Sequence, residues 1–83
     1  MKILYFSWLR EKIGYKEHII VKPADVITVF DLINFLKNFS DNHKVVLDDM
    51  NIVRVAVNQS FSNLDTKLHE NDEVAFFPPV TGG

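Results

Sequence analysis

The side chains that ordinarily carry chemistry are few in this sequence and poorly spaced for it. His18, His43 and His69 stand far apart and none has a partner at i+3 or i+4, so they form no recognisable metal set. They read as three surface histidines, and no metal is expected. Serine, histidine and aspartate all occur, but there is no G-x-S-x-G elbow and no glycine-rich phosphate loop, because the glycines are Gly14, Gly82 and Gly83 alone. Cysteine is absent, which removes thiol nucleophiles, thiolate zinc sites and disulfides together. Asp48-Asp49 and the acidic stretch from Glu70 to Glu73 read as solvated faces, either of which would also suit a basic partner.

What remains is the C-terminal end. From Val74 to Gly83 no side chain is charged, and Pro78-Pro79 stiffens the chain before Val80 and Thr81 lead into two glycines. The one ionisable group there is the α-carboxylate of Gly83. Lacking a Cβ, Gly82-Gly83 fits a channel too narrow for other residues and allows close approach of a catalyst's backbone. The four residues after Pro79 reach roughly 13 to 14 Å when extended, enough to carry the tip deep into another protein. The plain alternative is a frayed terminus that ends in glycine by chance.

The elements that must position this end follow from pattern. Lys2 to Trp8 is rich in β-branched and aromatic residues and reads as a strand, with Leu4 and Phe6 on the face of Lys2 and Ile3 and Tyr5 on the other. Leu9 to Ile13 suits one helical turn closed by Gly14 in the left-handed conformation, and Glu17 to Val21 a second strand completing a loose hairpin. Thr28 and Asp31 approximate a capping box, opening a helix whose Val29, Leu32, Ile33, Leu36 and Phe39 share the core face. Residues 40–51 fit either a second short helix or an irregular crossover. Ile52 to Val57 alternates as a half-buried strand stopped by Asn58-Gln59, and a short strand or turn follows around Ser60 to Asn63. Asn71-Asp72 supplies turn chemistry before a last strand, Glu73 to Phe77, which Pro78-Pro79 must end. The order predicts a single mixed sheet wrapped on one face of a main helix, an α+β roll.

Composition limits the functions available. Eighty-three residues, 47% hydrophobic and 24% charged, suit one globular domain without room for a second core. Nine Lys plus Arg against eleven Asp plus Glu give a net charge of −2, which argues against nucleic acid as a partner. No run approaches the roughly 18 apolar residues of a membrane span, and Ile3 to Leu9 is followed by charge and not by a cleavage site, so no membrane association and a cytoplasmic location are expected.

Asp72-Glu73-Val74-Ala75-Phe76-Phe77-Pro78-Pro79-Val80-Thr81-Gly82-Gly83 closely resembles the C-terminal signature of the small subunits of molybdopterin synthase (MoaD), ubiquitin-like β-grasp sulfur carriers. Lys2-Ile3-Leu4-Tyr5-Phe6, Leu9-Arg10-Glu11-Lys12-Ile13-Gly14 and Val55-Ala56-Val57-Asn58-Gln59 are similar to that family's first strand, short helix and third strand, so the likeness spans essentially the whole chain. One departure is mild: Asn71 stands where the family's turn often has Gly, and the αL tolerance of Asn accommodates it. The resemblance implies a β-grasp domain over 1–79 with a flexible tail at 80–83. It implies that an ATP-using, E1-like enzyme adenylates the Gly83 carboxylate, that a sulfur donor converts it to a thiocarboxylate, and that the large synthase subunit receives it to sulfurate cyclic pyranopterin monophosphate. On that reading Val80, Thr81 and Gly82 give access, this chain binds no cofactor, and the catalytic side chains belong to the large subunit. Other readings are a carrier for thiazole synthesis, a protein modifier, and a plain β-grasp interaction module.

Strand parity, combined with the family's placing of first, third and last strands side by side, predicts where that subunit would sit. Lys2, Arg54 and Glu73 should face away from the helix, and their neighbours Leu4, Phe6, Ala56, Ala75 and Phe77 must share that face. These would merge into an apolar patch at the root of the tail, with Phe61 extending it. The alternative is that the second short helix or the Phe61 loop covers the patch.

Overall fold

The computed structural model describes residues 1–79. The expected tail (Val80, Thr81, Gly82 and Gly83), and with it the expected boundary after residue 79, lies outside the described residues. The elements are β1 (Lys2–Tyr5), α1 (Trp8–Ile13), β2 (Glu17–Ile19), α2 (Val29–Leu36), α3 (Asp41–Leu47), β3 (Arg54–Val57), β4 (Ser60–Ser62) and β5 (Glu73–Phe77). The strands lie in the order β2-β1-β5-β3-β4, with β1 and β5 parallel and every other pair antiparallel. The first, third and last strands are therefore adjacent, and the α+β roll is as expected.

Each element has a local cause. β1 stops at Tyr5, earlier than the apolar run suggests, because Ser7 adopts φ 59 and ψ −138 and turns the chain into α1. Phe6 N–H still donates to Phe76 O at 3.0 Å, so the chain stays beside β5 through the bend. Gly14 closes α1 at φ 105, its N–H donating to Arg10 O at 2.8 Å, and a side chain at that angle would be strained although space is free around it.

At the start of α2 both halves of the capping box form: Asp31 N–H donates to Thr28 Oγ1 at 3.3 Å, and Thr28 N–H to Asp31 Oδ2 at 3.1 Å. The Ile27 and Thr28 N–H groups hold the Asp31 carboxyl below its ordinary pKa. The helix ends at Leu36 and not at Phe39. Asn38 and Phe39 N–H donate to Phe35 and Leu36 carbonyls three residues back, tightening the last turn and rotating Phe39 out of the core. Residues 40–51 resolve into α3, whose Ser40 cap accepts from His43 N–H at 3.1 Å, followed by a turn.

Val29, Leu32 and Leu36 from α2 and Leu47 from α3 are buried against Ile3, Val74 and Phe76 of the sheet. Burying one such side chain contributes roughly 1.5 to 3 kcal/mol. All three helices contribute to that single core, and the opposite face of the sheet carries none of them. Asn71 corrects one expectation: it is not among the residues of positive φ. The turn closes instead through Asp72, whose N–H donates to His69 O at 3.1 Å while its Oδ2 accepts from His69 N–H at 2.8 Å. An aspartate-closed turn needs no left-handed residue.

Candidate functional site

The outer face of the sheet is built by register. Leu4 pairs with Ala75, Ala75 with Ala56, and Ala56 with Phe61, so one row of side chains crosses β1, β5, β3 and β4. Phe77, two residues along β5, stands on the same face, and its ring lies 5.7 Å from that of Phe61 at 52°. Together with Phe6 they line an open groove of about 460 Å³. Alanines at the centre keep its floor low and the phenylalanines make its walls. Phe61 is 80% exposed and Phe6 47%, and α3 lies on the other face, so neither the second helix nor the Phe61 segment covers the groove. All six residues expected at a partner interface (Leu4, Phe6, Ala56, Phe61, Ala75 and Phe77) are brought together. The groove reaches Phe77, from which Pro78-Pro79 lead toward the tail.

Two residues not foreseen as part of it, Gln59 and Glu73, complete the groove. Glu73 is placed by the pairing of β5 with β1 and β3, and Gln59 by the β3–β4 hairpin. Asn58 and Gln59 form its two-residue turn with φ 51 and 69, the pairing of positive angles that matches strand twist. Asn58 also ties this turn to β5. Its Nδ2 donates to Asp72 Oδ1 at 2.9 Å, its Oδ1 accepts from Glu73 N–H at 3.0 Å, and its own N–H donates to Glu73 O at 2.8 Å. Burial opposes the charge on Asp72, but the bonds from Asn58 and His69 N–H, with the nearby His69 ring and N-terminal amine, outweigh it and lower its pKa. Parity placed Glu73 on the outer face. What the sequence did not signal was that the turn brings Gln59 to line the same groove.

The histidines correct another expectation, since only His69 is exposed. His43 is buried and His18 half-buried, and they share a cluster on the helix side of the sheet. Tyr15 Oη lies 2.9 Å from His43 Nε2 and 3.4 Å from His18 Nδ1, Tyr5 Oη lies 3.3 Å from His18 Nε2, and Ser40 Oγ lies 2.7 Å from His43 Nδ1. Burial lowers the pKa of both histidines, helped at His18 by the neighbouring His43. Burial raises both tyrosines, helped at Tyr5 by Tyr15. The result is an uncharged hydrogen-bonded chain that ties α3 to β1 and β2. No three His, Cys, Asp or Glu side chains among the described residues are placed to hold a metal. Among the same residues no helix is long and apolar enough to cross a membrane.

Comparison with known proteins bears on what this groove serves. Residues 3–83 match the ThiS family. The chain is 40% identical over 83 residues to the molybdopterin synthase sulfur carrier subunit of Escherichia coli, covering 100% of this chain and 99% of that one. It is 37% identical over 84 residues to the protein of the same name from Dictyostelium discoideum, covering 99% and 94%. Among solved structures, SAMP1 from Haloferax volcanii superposes with a TM-score of 0.80 at 25% identity, covering 100% of this chain and 98% of that one.

Proposed function

The chain belongs to the ThiS family, and from that premise we propose that it is the sulfur carrier subunit of a molybdopterin synthase. The observation that carries the proposal is the full-length likeness to relatives of that name, which runs through the Phe-Phe-Pro-Pro-Val-Thr-Gly-Gly ending. The reacting group is the α-carboxylate of Gly83. At neutral pH a carboxylate with a pKa of about 3.5 is ionised and a poor electrophile, so it must first become an acyl-adenylate. An E1-like partner forms that adenylate with ATP, and a sulfur donor replaces AMP to leave a thiocarboxylate. The thiocarboxylate then enters the large synthase subunit and gives its sulfur to cyclic pyranopterin monophosphate.

Within this division of labour the chain supplies the reacting terminus and the surface that aims it, while acid, base and substrate-binding groups come from the large subunit. The groove supports the docking half of the reading. It is largely apolar, uncovered and continuous with the strand that leads to the tail. Gly82 is needed for passage, since a β-branched residue there would widen the tip.

Reconstitution tests the proposal. The protein is mixed with an adenylating enzyme, ATP and a sulfur donor, then with large subunit and precursor. Molybdopterin should form, and deletion of Gly83 should abolish it while leaving the melting temperature unchanged. Thiocarboxylate without molybdopterin would assign the chain to a different carrier or modifier pathway, and molybdopterin from the truncated chain would refute the carrier role.

A further inference from the structure

The groove has two unlike ends, and its polar end is unexplained by the fold. Glu73 is half-buried in a groove lined, apart from Gln59, by Leu4, Ala56, Ala75 and phenylalanines, yet no cation of the described residues pairs with it. Two cations share that face. Lys2, which the β1–β5 register sets opposite Glu73, turns away to Glu17 at 3.5 Å. Arg54 spends its guanidinium on backbone, Nη1 donating to Met50 O at 3.1 Å and to the Asn51 and Val53 carbonyls at 3.4 Å.

Gln59, which lines the same groove, is held at φ 69 where glycine is the residue without penalty. Asn58, its companion in the turn, offsets the same strain with three hydrogen bonds. The Gln59 carboxamide bonds to none of the described side chains or backbone groups, so no hydrogen bond from the described residues compensates for a side chain at this position.

Resting on the docking role just proposed, we infer that Glu73 and Gln59 form a polar clamp for an arginine or lysine side chain of the large synthase subunit. The carboxylate would take the charge and the Gln59 carbonyl oxygen a second N–H. An apolar groove alone fixes contact but not direction. One cation seated at the Glu73 end gives the docked partner a polarity, so that the Phe77 end, and the tail beyond it, faces the active site.

Calorimetric titration with the large subunit at low and high salt tests the clamp, using Glu73→Gln, Gln59→Gly and, as a control for the seat itself, Phe77→Asp. Glu73→Gln should weaken binding about tenfold at low salt and flatten the salt dependence, because a partly desolvated charge pair has been lost. Gln59→Gly should weaken binding about fivefold while leaving the melting temperature equal or higher, a combination that a purely structural role would not give. If Phe77→Asp abolishes binding but Glu73→Gln keeps both the affinity and the salt dependence of the parent, the seat is right and the clamp is wrong. If Phe77→Asp binds like the parent, the seat is wrong and the clamp falls with it.

Discussion

At position 58 the side chain and the backbone are used at once. The left-handed φ of Asn58 makes the hairpin turn, and its carboxamide satisfies both the buried Asp72 and the first N–H of β5. Asn58→Ala loses both functions. It should cost about 2 to 4 kcal/mol, combining left-handed strain with an orphaned carboxylate partner. Asn58→Gly keeps the backbone freedom and loses the bonds, so its cost should be clearly smaller in the same urea titrations. Equal losses would mean that the turn angle contributes nothing.

At the scale of elements, α2 and β5 show two different dependencies. α2 is held by its cap as well as by its buried face, so Thr28→Ala should lower stability by roughly 1 kcal/mol, read from the urea midpoint. β5 is two-sided: Val74 and Phe76 are in the core, while Glu73, Ala75 and Phe77 look out. Phe77→Asp should therefore change the melting temperature little and yet weaken assembly with the large subunit strongly. If Phe77→Asp unfolds the domain, the outer face is part of the core after all.

For the whole molecule, stability should fall with acid in two stages. His18 and His43 have lowered pKa values in the fold, so below about pH 6.5 the unfolded chain binds protons that the folded chain refuses. Stability is thus full above that pH and declines as pH falls through it. Asp31 and Asp72, also lowered, add a second decline below about pH 4, where the unfolded carboxylates take up protons first. Urea midpoints measured across this range check both stages, and His43→Gln should reduce the first while leaving the second. By itself the sequence determined what depends on near neighbours: the Thr28–Asp31 box, the Gly14 stop, the Pro78-Pro79 end, and the parity that separates Ile3 and Tyr5 from Leu4 and Phe6. Each is a matter of spacing along a few residues, where backbone geometry leaves little choice. The family likeness added the strand order, and with it the gathering of six residues into one face. Only the tertiary structure decided that His18 and His43, 25 positions apart, share a cluster on the helix side of the sheet, and that Gln59 comes to line one groove with Glu73. Those contacts join segments whose spacing in the chain carries no period, so their partners are set by how the elements pack, and no local pattern reports it.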